Sequence, residues 1–486
     1  MIRNMKDKDI RAIVAWISAL AAVGLIIGLI MVSPVIGTAD SGDFGRVLGV
    51  TGLAVLNPNE SYEQLYFHYA HGLFGYGGYT TGGYVSTHVI LVALAGIIGR
   101  LWNGQVFDIR VLGVCYSILY VWAVYLLIRN APRAKKFSNT LIVTAGLAIS
   151  LLFVFGDIGY LAYFQSFFGE PYALIALLLM VASAMAIASS PLPTGKLLAL
   201  FIIAAVAVAT SKIQNAPLGF ALALLAWRML GLRADPRWRR QVWMGVAIIF
   251  VCSALMIVVA PDRLKNTNLY QSIFYGVLKG SKDVAGDMKE LGIPEKYSVL
   301  AGTNYFQKDT AIPQKDPVLR REVLEKLSHK DIVLYYLRHP SRFMEKLDKA
   351  AANSMFIRPH YLGNYDQSAG KPPGALSYKF SGWSQWKEKN MPRDSGWYIG
   401  LFLAYYVVLG SVWRKASRRL RLAAETLAVV ALAGIFSSVI PLIGDGEADL
   451  GKHLFMFNVC FDMMVISIFT GAIYGLVKLA ERKIRI

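Results

Sequence analysis

The nonapeptide Thr38-Ala39-Asp40-Ser41-Gly42-Asp43-Phe44-Gly45-Arg46 decides how this chain is read. It follows residues 12–36, a stretch without a single charge. A helix needs about 20 apolar residues to cross a bilayer core, so this stretch is long enough. Two carboxylates and a guanidinium then stand at the rim of a membrane span. Side chains placed there can act on a lipid head group or on its cargo, so the nonapeptide is read as the start of an active site.

Composition agrees with that setting. Hydrophobic residues make up 55% of the 486 residues and charged ones 17%, the balance of an all-α polytopic membrane protein. The formal net charge of +19 could point to nucleic acid. The basic residues, however, form short clusters between apolar runs, which is the pattern of loops retained on the cytoplasmic side. Cys115, Cys252 and Cys460 all lie in apolar segments, so no disulfide framework is implied. The first apolar run is too long for the core of a cleavable signal peptide.

Hydropathy nominates eleven spans, near 12–36, 84–99, 111–128, 139–156, 171–189, 197–210, 216–231, 241–260, 397–413, 422–442 and 454–477. Five basic clusters are assigned to the cytoplasm: Arg3 to Arg11, Arg129 to Lys136, Arg233 to Arg240, Arg414 to Arg421 and Lys478 to Arg485. An odd number of crossings cannot put both the first and the last cluster there. The weakest candidate, 84–99, is therefore expected to lie along the membrane or re-enter it, leaving ten crossings. An extra crossing near 44–56, giving twelve, is the alternative. Three parts follow: a transmembrane module 1–260 with a first outer loop 37–83, an outer insert 261–396, and C-terminal spans 397–486. The insert is expected to be mainly helical. Asp316-Pro317 marks a helix start, Ser328 to Asp331 a capping box, and His339-Pro340 a break, after which Phe343, Met344 and Leu347 face one way. The glycine- and tyrosine-rich stretch Gly72 to Tyr84 is expected to be an irregular lid.

This topology sends 38–83, 157–170, 211–215, 261–396 and 443–453 to one outer face. Asp40 and Asp43 could simply cap the next helix. With Arg46 beside it, Asp43 also offers a base next to an anion-binding cation, and function is favoured there. Glu170, in Phe168-Gly169-Glu170-Pro171, sits at the mouth of a span, where an acid either works or serves the helix N-terminus. Lys212, in Ser211-Lys212-Ile213-Gln214-Asn215-Ala216-Pro217, breaks the positive-inside bias, so it is assigned to a lipid phosphate rather than to snorkelling. Gln214, Asn215, His88 and His360 are candidate substrate contacts, and Arg358 a second phosphate ligand. Asp445-Gly446-Glu447-Ala448-Asp449 with Lys452-His453 lacks the ligand pattern of a calcium loop and reads as an acidic external turn. No residue set is nominated as a metal site.

The acids after the first span and at 168–171, with the lysine turn at 211–217, resemble the GT-C superfamily of integral-membrane glycosyltransferases. The nearest flavour is the hexose transferases of bacterial cell-surface glycan clusters. The likeness lies mainly in the layout of the first half. It implies a polyprenyl-phosphate sugar donor, a glycan or lipid-linked acceptor, and a multi-pass protein of the bacterial plasma membrane with an extracytoplasmic active site. It implies Asp43 or Asp40 as the base, Glu170 as an orienting acid that could share a divalent cation (Mg or Mn), and Lys212, Arg358 and Arg46 around the donor phosphate. Such transfer needs a base, a cation and an apolar cavity, and a single base favours inversion. A transporter or flippase of lipid-linked glycans is the main rival. It would need charges deep in several spans, whereas Asp462 stands nearly alone in that respect. A receptor or scaffold working through 261–396 would leave the scattered acids and lysine unexplained.

Overall fold

A computed structural model describes residues 9–80, 84–259 and 261–483 of the chain. Its order begins with α1 (Ile10–Met31), α2 (Phe44–Thr51), α3 (His88–Trp102), α4 (Arg110–Arg129), α5 (Phe137–Phe155), α6 (Glu170–Ser189), α7 (Gly195–Thr210), α8 (Leu218–Leu232) and α9 (Pro236–Val258). The insert carries α10 (Val284–Leu291), α11 (His329–Arg338), α12 (Pro340–Asn353) and α13 (Gly382–Asn390). The last three long helices are α14 (Ser395–Lys415), α15 (Arg418–Asp445) and α16 (Phe455–Lys483). The chain is an all-α polytopic membrane protein: eight helices among the described residues are long and apolar enough to cross a bilayer. Three shorter apolar ones, α3, α7 and α8, complete the set of eleven nominated segments. Residues 44–56 hold only the short α2 and a two-residue strand, so they supply no additional span.

The centre of the bundle is α6. It has no polar stripe, and its alanine- and leucine-rich surface is buried on nearly every side, as expected of a helix that is apolar all round. It packs against α4, α7, α15 and α16, so its N-terminus, Glu170, sits at the middle of one end of the bundle. The basic loops meet at the other end. Asp9 binds Arg129, Glu481 accepts from the Lys135 and Lys136 amides, and the Arg419 and Arg233 guanidinium groups donate to the Pro191 and Pro193 carbonyls. Arg3, Lys6, Lys8 and Arg485 of those clusters lie outside the described residues.

Two readings are corrected. The first span is shorter than 12–36, because α1 ends at Met31, Val32 leaves the helix with an extended backbone, and the chain bends through Pro34, whose nitrogen cannot donate to a helix. Gly72 to Tyr84 is not wholly irregular. Leu73–Tyr76 is the middle strand β2 of a small antiparallel sheet, between β1 (Leu53–Ala54) and β3 (Val106–Asp108). Alternation explains it: Phe74 points into the protein and Leu73 out. Residues 81–83 of that stretch lie outside the described residues.

The insert behaves as two pieces. Its first part closes a core of its own around Tyr270, Phe274, Tyr297 and Tyr335. Asp316 caps the turn at Pro317, Ser328 and Asp331 form the capping box, and α12 begins at Pro340. The second part folds back on the bundle. The Asp157 carboxylate accepts from the Ser384 amide and hydroxyl, and the Lys387 ammonium lies 2.6 Å from Asp462. Asp462 also accepts from Tyr160 Oη at 2.6 Å and Trp383 Nε1 at 2.8 Å. Both members of the Lys387–Asp462 pair are fully buried, so this mid-span acid serves as an anchor for α13. Removing one partner of a buried pair costs about 3–5 kcal/mol. Lys387→Met should therefore lower the thermal midpoint of the purified protein sharply, and Lys387→Met with Asp462→Leu should recover part of the loss.

Candidate active site

Three polar turns and one helix start meet at the Glu170 end of the bundle. The first is the nonapeptide. Gly42 takes a positive φ of 96°, which glycine adopts freely, and turns the chain so that Asp40 faces the start of α2. Asp40 Oδ1 accepts from the Gly42 amide at 2.7 Å and the Phe44 amide at 3.0 Å. Phe44 is buried between Phe167 and Phe168 and fixes α2 against the segment leading into α6. Asp43 directly precedes α2, yet its carboxylate makes no capping bond. The capping role therefore belongs to Asp40, and the Asp43 carboxylate is released toward the site.

Asp43 Oδ2 lies 2.5 Å from Lys452 Nζ, and Oδ1 lies 3.2 Å from the Arg46 guanidinium one helical turn on. The Lys452 ammonium also reaches Asp449 at 2.7 Å and Ser41 Oγ at 2.9 Å, and it sits 5.1 Å from the Phe168 ring centroid. Glu170 is ion-paired with Lys212. Room for that pair comes from Gly169: a Cβ there would sit 3.3 Å from the Ser211 carbonyl and 3.4 Å from Lys212 Cε. The second Glu170 oxygen is buried and has no hydrogen-bond partner among the described residues. Three carboxylates and three cations thus alternate around one point, contributed by four distant stretches of chain.

The Lys212 turn is held by its neighbours. Ser86 Oγ donates to the Ser211 carbonyl at 2.6 Å, and the Thr87 amide donates to the Thr210 carbonyl at 3.1 Å. Asn215 Nδ2 donates to Ser211 Oγ at 2.9 Å from a buried position and braces the turn. Gln214 Oε1 lies 3.1 Å from His453 Nδ1, and His453 Nε2 lies 2.9 Å from Asp445. The acidic turn 445–449 divides its carboxylates. Asp445 faces His453, Glu447 pairs with Lys346 and Lys279, and Asp449, itself in a left-handed backbone, pairs with Lys452.

Other nominated residues make no hydrogen bond or ion pair with the cation cluster among the described residues. Arg358 is buried, bonded to Asn364 and to the Ser377 carbonyl. It organises the loop that lies along residues 36–40. His360 pairs with Glu388 at 3.1 Å and remains half exposed. His88 is buried between Tyr116 and Tyr172 with both ring nitrogens unpartnered among the described residues. Among the described residues no three His, Cys, Asp or Glu side chains are grouped to hold an ion, and Asp43 and Glu170 are each engaged by lysine.

Charge and burial set the protonation pattern. Burial raises the Asp40 carboxyl to about 6, against hydrogen bonds from Phe44 and Gly42 that oppose the shift. Burial acts on Asp43 in the same direction, but Lys452, Arg46 and Lys212 overcome it and hold that group below the usual carboxylate range. Burial pushes the Lys452 ammonium down, and Asp43, Asp449 and Glu170 more than offset it, holding the group well above the ordinary lysine value.

A family model described as the YfdI N-terminal transmembrane domain matches residues 2–484. The chain belongs to the YfdI family. Searches of curated proteins and of solved structures gave no match. The multi-pass architecture of this YfdI-family chain agrees with that description.

Lys452 and Asp449 were read only as part of an acidic external turn, and Ser41 was not nominated. A usable signal was present: Lys452 follows three acids and precedes an apolar span on the side assigned to the outer face. It is as clear an exception to the positive-inside bias as Lys212.

Asp40 also yields a pH test. The unfolded carboxyl ionises near 3.8 and the folded one at about 6. The fold thus holds the proton more tightly, and stability falls as pH rises from about 4 to about 6, by up to about 3 kcal/mol, then levels off. Asp40→Asn keeps the accepting oxygen and removes the charge. Thermal unfolding between pH 4 and 7.5 should show that decline in the wild type and lose it in the variant.

Proposed function

We propose that this protein is a GT-C-like membrane glycosyltransferase that moves a hexose or pentose from a polyprenyl-phosphate donor to a glycan or lipid-linked acceptor. The observation that carries the reading is the meeting of Asp43, Arg46, Glu170, Lys212 and Lys452 at one end of a membrane bundle. Membership of the YfdI family supports the same class of enzyme. The basic loops gathered at the opposite end support an extracytoplasmic site in a bacterial plasma membrane.

Asp43 is the base in this scheme. It removes the proton from the acceptor hydroxyl as that oxygen bonds to the anomeric carbon. The bond from that carbon to the phosphate oxygen breaks, and its electron pair leaves with the polyprenyl phosphate. Lys452, Lys212 and Arg46 stabilise the leaving phosphate, acting where negative charge grows. At rest these cations hold Asp43 in its charged form and make it a weak base. A bound phosphate competes for them, so the carboxylate regains basicity when the donor is in place. Attack from the face opposite the phosphate inverts the sugar carbon. Glu170, with one oxygen on Lys212 and one free, orients the acceptor. Asp40 holds the turn that aims Asp43.

Transfer from a synthetic polyprenyl-phosphate hexose to an acceptor glycan tests this directly. Asp43→Asn keeps an oxygen for Lys452, which Asp449 still neutralises, so the variant should fold, while turnover falls by at least about 100-fold. Wild-type turnover in that variant would remove Asp43 from the chemistry, and a product with retained anomeric configuration would remove the single-base mechanism.

A further inference from the structure

At the basic end of the bundle, opposite Glu170, a cavity of about 360 Å³ opens between the last turns of α8 and the start of α15. Ligand sites usually measure about 300–1,000 Å³, so this one is large enough to be occupied. Its charged wall is built from Arg228, Arg418, Arg421 and Glu425. Glu425 is already engaged. It takes the Arg228 guanidinium, with Nε at 3.1 Å and Nη2 at 2.9 Å, and accepts from Trp413 Nε1 at 2.8 Å. Arg418 and Arg421 pair with no carboxylate among the described residues. Arg418 Nη1 donates to the Gly231 carbonyl at 3.1 Å. Arg421 Nε donates to the Trp413 carbonyl at 3.1 Å and Nη2 to that of Arg414 at 3.5 Å, while the guanidinium stacks 4.6 Å from the Trp413 ring. A guanidinium carries five N–H donors, so both arginines keep several without a protein acceptor. Three arginines against one glutamate leave the wall with an excess of two positive charges. The rest of the lining is apolar and includes Trp227, Leu230 and Leu422. Trp227 and Trp413 are exposed near the ends of apolar helices, where tryptophan marks the boundary between hydrocarbon and head groups. Leu224, about one turn deeper on α8, is exposed as well.

We propose that this cavity binds the phosphodiester of an anionic phospholipid from the adjoining leaflet. The phosphate meets Arg418 and Arg421, and the acyl chains leave past Trp227 and Leu224. A basic pocket between membrane helices suits such a head group, because guanidinium groups bind phosphate oxygens in pairs. A zwitterionic lipid would bring an ammonium or choline against the same arginines and gain less. A soluble phosphate would satisfy the charge but make no use of the apolar margin. The site joins two helices that matter at the other end: α8 begins just after the Lys212 turn, and α15 ends just before the Lys452 turn. A bound head group therefore braces α8 against α15. The proposal is independent of the donor and of the reaction set out above.

The full-length protein, delipidated in detergent, is given phosphatidylglycerol, phosphatidylcholine or inorganic phosphate. Retained lipid is counted by native mass spectrometry, and unfolding is followed by temperature. Phosphatidylglycerol should be retained at least about 10-fold more tightly than phosphatidylcholine and should raise the unfolding midpoint. Arg418→Gln should weaken its retention about 5-fold, the loss expected of one arginine at an anionic surface. Glu425→Gln keeps an acceptor oxygen for Arg228 and Trp413, removes the one negative charge of the wall, and should tighten retention by about the same factor. Opposite responses separate an effect of charge from damage to the fold, and the second variant decides if the first does not fold. Equal retention of the two lipids overturns the proposal. Unchanged retention in folded Arg418→Gln, or weaker retention in Glu425→Gln, also overturns it. Inorganic phosphate that raises the midpoint as far as phosphatidylglycerol at equal phosphate concentration overturns the assignment to a lipid.

Discussion

An ammonium group buried at the end of a helix bundle persists only among carboxylates, and the polar turns at this end of the structure serve that requirement. Lys452 is nearly inaccessible and is surrounded by Asp43, Asp449 and Ser41. Desolvating a lone charge would be prohibitive, so these partners have to arrive together. They come from the loop after α1 and from the turn between α15 and α16, while the neighbouring Lys212–Glu170 pair ties the α7–α8 turn to the start of α6. The convergence therefore answers to the electrostatics of folding, whatever the cluster binds.

The parts of the fold set by periodicity and charge were legible in the sequence. All eleven apolar segments became helices, the capping box at Ser328 formed, and the proline at 340 opened a helix. Each depends on nearest neighbours along the chain. The site was legible in part, since Asp43, Arg46, Glu170 and Lys212 were nominated from span edges and lie together. Lys452 was not nominated, because it sits in a segment whose acids drew the reading toward a solvated turn. What distinguishes a solvated turn from a buried one is the helix packing around it, and no local pattern encodes that.

The residues that stand apart are equally instructive. Arg358 carries the charge of a phosphate ligand, but it is buried with two of its donors on Asn364 and the Ser377 carbonyl. His360 answers to Glu388. From sequence, an arginine that shapes a loop and one that grips a ligand look alike, because both are defined by what they reach across space. Asp40 and Asp43 show the opposite case. Both are acids three residues apart, and a single glycine turn separates a scaffold role from an available carboxylate.

The loop organised by Arg358 has a wider consequence. The Gly37 amide donates to the Asn364 carbonyl, the Ala39 amide donates to the Gly363 carbonyl, and Asn364 Nδ2 returns a bond to the Gly37 carbonyl. Ile36 bridges Tyr365 antiparallel. Extended pairing of this kind has a period of two, so a slip of one residue turns every side chain to the other side. The stretch after α1 and the stretch after α12 therefore form a matched lock, cut from parts of the gene more than three hundred codons apart. A chimaera that grafts the insert from one relative onto another would have to carry both halves of that lock to keep its acids aimed.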